Sequence, residues 1–369
     1  MILGIAPVSG GAFPAQLAAY ALLIKHGIRP SCIMASSGGN IASYIVSAAD
    51  WKIDGIIRIL GNLRSDDMFV PWTPIFNSIV GFFRGSLYRP GPGVHQILRE
   101  NFTSMTIQDD EIWTGTYNRT RQQARFFGNR GRTNSIFGSS DIDSSLNYCM
   151  ELTFLEGDVE KIATASQASA SIPALIEPQE IDGEPYCDGG LSCASPLQGF
   201  ESIILDKYQS FHLIYINGMN LKDPVNVFTC GGNVLVNGRL AASELVRSHL
   251  IADRLCAYHM LTSRSHIGHL KPNFEEIDIK DLSLVFESYE IIDRSLLEFY
   301  PNDYEEIDIT DFDGADILAM FERCQKRIQC RFWWIGNASL MQDLRDRRER
   351  KIAEHYRIDL LLRGELTEL

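Results

Sequence analysis

A serine set between small residues is the first feature of this sequence that points to chemistry. Ser37 lies within A-S-S-G-G at residues 35–39, after an apolar run over 31–35 and before a second run over 41–46. The first run predicts a strand and the second a buried helix. A serine on a sharp strand-to-helix turn is typical of a nucleophile elbow. The free N–H groups at the start of such a helix favour negative charge beside the serine.

An acidic residue followed by two glycines is a candidate partner for this serine. Asp188 precedes Gly189 and Gly190. A serine needs a base within hydrogen-bond distance to become nucleophilic, and a carboxylate beside glycines approaches other groups closely. The same D-G-G pattern also fits an ordinary turn. Asp188 is therefore a candidate general base whose assignment depends on the rest of the chain.

A glycine-rich loop near the start of the chain is a candidate oxyanion hole. An apolar run over residues 2–8 predicts a buried strand, and S-G-G-A follows at residues 9–12. Parallel strands place their following loops at one edge of a sheet, about 5 Å apart. We therefore expect N–H groups of this loop to face an oxyanion formed at Ser37.

The elements that position these residues are predicted as a compact βαβα unit. A helix is predicted over residues 14–26 with Gly27 as its C-terminal cap, and the helix after Ser37 extends to about residue 49. Further along, Asp158 is predicted to cap a helix over 159–170. Further predictions are a hairpin at 181–186, strands at 134–138, 147–152, 201–205 and 212–217, a helix over 240–261, and helices from 316 onwards.

Four motifs together resemble those of patatin-like phospholipases. They are S-G-G-A at residues 9–12, A-S-S-G-G at 35–39, A-S-A-S-I-P at 168–173 and D-G-G at 188–190. Their order and spacing carry the resemblance over residues 1–220. It implies an α/β fold with a mainly parallel central sheet flanked by helices. The helices predicted from residue 316 onwards indicate a helical C-terminal extension. We predict a hydrolase domain over residues 1–270 and the extension over residues 271–369.

The resemblance also implies an activity and its residues. It implies hydrolysis of acyl esters of a phospholipid or another acyl lipid, by a serine–aspartate dyad without a catalytic histidine and through a covalent acyl-enzyme. Ser37 is the implied nucleophile and Asp188 the implied base. The implied oxyanion hole consists of Gly10, Gly11, Ala12 and Gly38. No metal ion and no other cofactor is implied.

The glycine loop departs from the family pattern G-G-G-x-R/K-G. Pro14 stands where the pattern has a basic residue, and Pro has neither that charge nor an N–H. Backbone N–H groups remain at Gly11 and Ala12. In the elbow, Ala35 replaces the first glycine. These changes keep open an alternative, a catalytically weak or inactive relative that acts as a scaffold or assembly component.

A second alternative is a Ser-His-Asp esterase. His212, His249 and His259 all follow Asp188, which agrees with the chain order serine, acid, histidine. That fold, however, places its elbow after several strands rather than after the second. It also leaves the glycine loop and the A-S-A-S-I-P segment unexplained.

Composition narrows the class of partner and compartment. The 369-residue chain has a formal net charge of -13, which argues against a nucleic-acid partner. Its eight cysteines form no C-x-x-C pair, which argues against a zinc or thioredoxin-like site. No basic stretch precedes the N-terminal apolar run, and no uninterrupted apolar run of about 20 residues occurs. We therefore expect no signal peptide, no transmembrane helix, and an intracellular location, cytoplasmic or peripheral to membranes.

Two stretches bear on membrane contact. Residues 69–84 have apolar side chains at helical spacing. This pattern fits a lid that enters a lipid interface, but it favours a helix that covers the core. Near the C-terminus, a basic run over residues 345–351 follows Trp333 and Trp334. Acidic residues interleaved in that run favour an ordinary surface helix.

Overall fold

The computed structural model describes residues 1–73, 84, 86–101, 110–138, 150–192, 196–218, 248, 250–263, 271–302 and 313–363. The strands are β1 (Ile2–Ala6), β2 (Cys32–Ser36), β3 (Phe69–Pro71), β4 (Tyr88–Pro90), β5 (Ile112–Asn118), β6 (Gln123–Gly128), β7 (Met150–Phe154), β8 (Gln179–Ile181), β9 (Glu184–Asp188), β10 (Phe211–Ile216), β11 (Asn273–Ile277), β12 (Arg294–Pro301) and β13 (Ile328–Trp334).

The helices lie before, between and after these strands along the chain. They are α1 (Phe13–Lys25), α2 (Gly38–Ala48), α3 (Ile53–Asn62), α4 (Ser65–Met68), α5 (Gly93–Asn101), α6 (Val159–Ser169), α7 (Gly189–Ser192), α8 (Pro196–Lys207), α9 (residues 250–262), α10 (Leu282–Ser288), α11 (Gly314–Arg327) and α12 (Leu340–Leu362). Short 3-10 turns lie at Gly10–Ala12, Arg132–Asn134 and Ile279–Asp281.

Eleven of the described strands form one sheet. Its main order is β11-β13-β12-β10-β1-β2-β5-β6-β7, with β9 paired to β5 and β8 paired to β9. The five central strands, from β12 to β5, run parallel to one another. Antiparallel pairs flank them on both sides. The predicted class, a mainly parallel central sheet flanked by helices, is confirmed.

Apolar side chains fill both faces of the sheet, which explains why the central strands are continuous apolar runs. One core cluster joins the sheet to α1, α2 and α11 and includes Leu17, Ile45 and Phe321. The other joins the sheet to α8 and α9 and includes Phe200 and Met260. Strands β1 and β2 therefore lie between two helical layers, and their carboxyl ends are fixed in position.

Several local predictions around these strands are confirmed. Helix α1 ends at Lys25, and Gly27 adopts the left-handed conformation with φ 68°. The side chain of Asp158 caps α6. Strands β8 and β9 form the predicted hairpin, with positive φ at Asp182 and Gly183. These signals are local, and the surrounding fold agrees with each of them.

Two predicted strands are wrong. Residues 134–138 form no strand, because Glu111 accepts hydrogen bonds from the Ser135 hydroxyl and from the backbone N–H of Ile136 and so holds the segment as a turn. Residues 201–205 belong to α8 instead. The short apolar run there serves the buried face of a helix, on which Ile203 and Ile204 point into the core.

The prediction of helices alone from residue 316 onwards is wrong in part. Helix α12 is present near the C-terminus, but β13 lies between α11 and α12. Strand β13 pairs with both β11 and β12, and β12 pairs in parallel with β10. The division into a domain at 1–270 and an extension at 271–369 stays a prediction.

Some predicted segments fall on undescribed residues. Of the apolar stretch 69–84, residues 74–83 lie outside the described part of the chain, as do 147–149 of one predicted strand and 240–247 of one predicted helix. Within the ranges that the structure describes, no helix is both long enough and apolar enough to pass through a lipid bilayer.

Candidate active site

Ser37 occupies the turn between β2 and α2 in a strained backbone conformation. Its φ is 53° and its ψ is -129°, which a residue with a side chain rarely adopts and which costs about 1–3 kcal/mol. The first turn of α2 also lies so close to the end of β1 that a β-carbon at Gly39 would lie 2.2 Å from the carbonyl oxygen of Ala6. The small residues around Ser37 therefore permit the sharp turn, and the turn presents the Ser37 hydroxyl beyond the end of β2.

The structure brings Ser37 and Asp188 together. Ser37 Oγ donates a hydrogen bond to Asp188 Oδ2 over 2.6 Å. The other carboxylate oxygen, Oδ1, accepts the backbone N–H of Gly190 at 2.8 Å. Ser37 is 3% exposed and Asp188 is fully buried. A short hydrogen bond from a hydroxyl to a buried carboxylate is the arrangement from which a proton can pass as the serine attacks.

Strand β9 delivers Asp188 to this position across β5. Strands β9 and β5 are antiparallel, with Asp188 opposite Thr116. The two positions after Asp188 leave no room for a side chain. A β-carbon at Gly189 would lie 2.7 Å from the carbonyl oxygen of Gly115, and a β-carbon at Gly190 would lie 2.5 Å from Val8 Cβ. The D-G-G pattern therefore lets the carboxylate enter a crowded sheet edge.

The glycine loop lies against the elbow, as the βαβα unit predicts. A β-carbon on Gly38 would lie 2.5 Å from Ser9 Oγ and 3.0 Å from the amide nitrogen of Gly10. Gly10 has φ 52°, the left-handed conformation that glycine tolerates best. The N–H of Ala12 donates to Ser9 O at 2.9 Å and closes the 3-10 turn. Gly38 begins α2, and the first N–H groups of a helix have no intrahelical acceptor.

Gln16 fixes the glycine loop, and the sequence did not single it out. Its Oε1 accepts the Ser9 hydroxyl at 2.6 Å, and its Nε2 donates to the carbonyl oxygens of Pro7 and Ile216, each at 2.9 Å. Gln16 is fully buried. The available signal is a lone amide side chain inside the otherwise apolar first turns of α1.

The A-S-A-S-I-P segment meets the elbow from the side of α6. The backbone N–H of Ser37 donates to Ser169 Oγ at 2.9 Å. One turn earlier on α6, Ser166 Oγ accepts from Asn40 Nδ2 at 2.7 Å, and Asn40 Oδ1 accepts the Thr114 hydroxyl at 2.8 Å. The motif was recognised in the sequence, but the contact of Ser169 with Ser37 was not predicted.

His212 is not brought to Ser37. It pairs with Ile2 at the opposite end of β1 from the glycine loop. Its Nδ1 lies 3.0 Å from Ser295 Oγ, and its ring stacks on Tyr289 with centroids 4.1 Å apart. Burial lowers the pKa of His212 to about 4. This histidine is a packed, neutral residue between strands.

The other two candidate histidines give the triad no support. His259 is exposed on α9, where its Nδ1 pairs with Glu201 of α8. His249 lies outside the described residues. In the described ranges, no cluster of three or more His, Cys, Asp or Glu side chains is placed to hold a metal ion.

Comparison with known proteins identifies a family that matches the part of the chain containing this site. A family model described as patatin-like phospholipase matches residues 8–200, more than half of the chain. The matched range contains the glycine loop, Ser37, the end of α6 and Asp188. No curated protein matches the chain.

Proposed function

Because the chain belongs to the patatin-like phospholipase family, which indicates a lipid acyl hydrolase, we propose that it is a serine hydrolase of lipid esters. We favour phospholipids as the substrate class. The bond cleaved is then a carboxylic ester, as in phospholipases of the A type. Ser37 is the nucleophile and Asp188 is the general base. The observation that carries this proposal is the 2.6 Å hydrogen bond from Ser37 Oγ to Asp188 Oδ2 in a buried site.

Acylation follows from that contact. Asp188 Oδ2 takes the hydroxyl proton while Ser37 Oγ bonds to the carbonyl carbon of the ester. The carbonyl π electrons move to the oxygen, which becomes an oxyanion. When the tetrahedral intermediate collapses, the bond to the alcohol oxygen breaks and Asp188 returns the proton to that leaving group. The products are the free alcohol, for a phospholipid a lysophospholipid, and an acyl ester on Ser37.

In deacylation, water is the nucleophile and Ser37 Oγ is the leaving group. Asp188 takes a proton from the water as its oxygen attacks the acyl carbon, and a second oxyanion forms. Collapse then breaks the bond to Ser37 Oγ, which receives the proton from Asp188. The released product is the fatty acid, and the enzyme is regenerated.

Backbone N–H groups supply the charge stabilisation in this proposal. The candidate donors are Gly10 and Gly11 in the loop and Gly38 at the start of α2. The Gly10 amide nitrogen lies beside the elbow, 3.0 Å from where a β-carbon on Gly38 would be, and Gly38 begins α2. The Ala12 amide is already bonded to Ser9 O, so we assign Ala12 to the turn that shapes the hole. An oxyanion-hole donor typically lowers the activation barrier by about 3 kcal/mol.

The strain at Ser37 favours an enzyme over an inactive relative. Strained backbone persists where function requires it and the surroundings enforce it. Pro14, which replaces the basic residue of the family loop, lies in the first turn of α1, and Gln16 connects Ser9 of the loop to Pro7 and Ile216 by three hydrogen bonds. The loop is thus ordered without the basic residue. A scaffold or assembly role remains the alternative that the experiment tests.

The first test is labelling by a serine-directed fluorophosphonate, with mass-spectrometric identification of the labelled residue. We expect label on Ser37 in the wild type and none in Ser37→Ala. Asp188→Asn should lower ester hydrolysis at least 100-fold, since general-base catalysis contributes about 10²–10⁴. Absence of label on Ser37 in a folded wild-type protein would contradict the proposed enzyme.

A matched control separates the dyad from the triad. His259→Ala removes an exposed ring paired with Glu201, so kcat should stay within about twofold of wild type. Loss of hydrolysis in this variant would contradict a serine–aspartate dyad. Phospholipids, triacylglycerols and short-chain esters assayed with wild type and Ser37→Ala in parallel would then rank the substrate classes.

A further inference from the structure

The end of α6 contacts both Ser37 and Asp188 through residues that the proposed mechanism does not use. Ser169 Oγ accepts the backbone N–H of Ser37 at 2.9 Å. Two residues later, the carbonyl oxygen of Ser171 accepts the backbone N–H of Asp188, also at 2.9 Å. Both serines are fully buried. One three-residue segment therefore holds the backbone of the nucleophile and that of the base.

The partners of Ser169 fix the direction of its hydroxyl. A backbone N–H can only donate, so Ser169 Oγ is the acceptor for Ser37. The carbonyl oxygen of Gly115, 2.7 Å away, can only accept, so the Ser169 hydroxyl donates its hydrogen bond to it. Gly115 lies in β5 opposite Ser36 of β2. The single hydroxyl thereby connects the elbow, α6 and β5.

This connection bears directly on the strained conformation of Ser37. The peptide before Ser37 points its N–H at Ser169 while φ is 53°. Without an acceptor there, the buried N–H of Ser37 would have no hydrogen-bond partner. The turn would then be more stable if the φ of Ser37 relaxed to an ordinary negative value. Such a relaxation moves Ser37 Oγ away from Asp188. A misplacement of about 1 Å can cost about 100-fold in rate.

We propose that Ser169 is a positioning residue for the ester hydrolysis, an inference that rests on the proposed function. Its hydroxyl holds the Ser37 backbone so that Ser37 Oγ stays within hydrogen-bond distance of Asp188. Ser169 acts through Ser37, so its loss lowers kcat and leaves KM within about threefold of wild type. Ser169→Ala should lower kcat roughly 10- to 100-fold.

The decisive experiment compares two variants of equal shape. Ser169→Thr and Ser169→Val crowd the site equally and differ in that Thr keeps the hydroxyl. Ser166→Ala is the matched control for Ser169→Ala, because Ser166 is equally buried on the same helix but accepts from Asn40. We would measure kcat and KM for a soluble ester, the rate of fluorophosphonate labelling at Ser37, and the melting temperature of each variant.

The proposal expects Ser169→Thr to exceed Ser169→Val at least tenfold in kcat and in labelling rate, at similar melting temperatures. It also expects Ser166→Ala to lose stability comparably to Ser169→Ala while keeping kcat within about threefold. Equal kcat for the Thr and Val variants in an active protein overturns the positioning role and leaves the proposed function standing. A wild type that neither hydrolyses esters nor takes label overturns both.

Discussion

At the scale of single residues, space around the elbow sets the strongest constraints. A β-carbon at Gly39 would lie 2.2 Å from Ala6 O and 2.3 Å from Pro7 O. Both contacts are with backbone, which cannot move aside as a flexible side chain can. Gly61, in contrast, is in the last turn of α3 and would place its β-carbon 3.4 Å from Leu318 Cδ1, an ordinary contact.

These two glycines give opposite predictions for the same substitution. Gly39→Ala should destabilise the protein by about 3 kcal/mol or more and abolish labelling at Ser37, because β1 and α2 must separate. Gly61→Ala should raise the free energy of unfolding by about 0.5–1 kcal/mol, because alanine in a helix loses less backbone entropy on folding. Urea unfolding of both variants checks this, and a Gly39→Ala protein as stable as wild type would refute the close crossing.

The residues that the sequence predicted are those with local signatures. Ser37 and Asp188 are recognisable because each needs glycines directly after it, and the structure explains those glycines by close contacts. Gln16 carries no such signature, and the motif that contains Ser169 does not indicate its contact with Ser37. Their key contacts join residues 200 positions apart, from Gln16 to Ile216, and 132 apart, from Ser169 to Ser37. Only the folded sheet brings these partners together.

At the scale of elements, local signals succeeded where a cap or a turn residue marked the boundary, as at Asp158 and Gly27. They failed where a short apolar run fits either a helix or a strand, as at residues 201–205 and 328–334. In α8 the apolar side chains face the second core cluster, whereas in β13 they pair between β11 and β12. Such runs are decided by long-range partners that a local pattern does not contain.

The cap of α6 yields a prediction that separates stability from catalysis. Asp158 Oδ1 accepts the backbone N–H groups of Glu160 and Lys161 at 3.1 and 3.2 Å. Asp158→Ala should lower the free energy of unfolding by about 1 kcal/mol, and Asp158→Asn should retain most of it. The cap lies about 15 Å along the helix from Ser169, so kcat should not change. A loss of kcat with unchanged stability would contradict this separation.

At the scale of the whole molecule, two buried ionisable groups shape the dependence of stability on pH. Burial lowers the pKa of His212 from 6.5 to about 4. Burial raises the pKa of Asp253 on α9 from 3.8 to about 8, although the Leu197 N–H and the Tyr215 hydroxyl both donate to its carboxylate. His212 on β10 contacts Ser295 of β12 and stacks on Tyr289, and Asp253 on α9 bonds to Leu197 of α8 and Tyr215 of β10.

The signs of the two contributions follow from which state binds the proton. Between pH 4 and 6.5 the unfolded chain protonates His212 and the folded protein does not, so His212 lowers the free energy of unfolding as pH falls. Between pH 4 and 8 the folded protein keeps the Asp253 proton and the unfolded chain releases it, so Asp253 lowers the free energy of unfolding as pH rises. The two contributions oppose each other below pH 6.5, and only that of Asp253 acts from there to pH 8.

Urea unfolding at pH 5, 6.5 and 8 tests this with His212→Gln and Asp253→Asn. Relative to wild type, Asp253→Asn should gain stability as pH rises from 6.5 to 8, by up to about 1.4 kcal/mol for each pH unit. His212→Gln should gain relative to wild type as pH falls from 6.5 to 5, with the same limiting slope. Each variant isolates one proton, so parallel pH profiles for wild type and Asp253→Asn would show that Asp253 is ionised in the folded protein. His212 lies at the opposite end of β1 from the glycine loop, so the change that depends on its proton should appear in unfolding and not in the rate of labelling at Ser37.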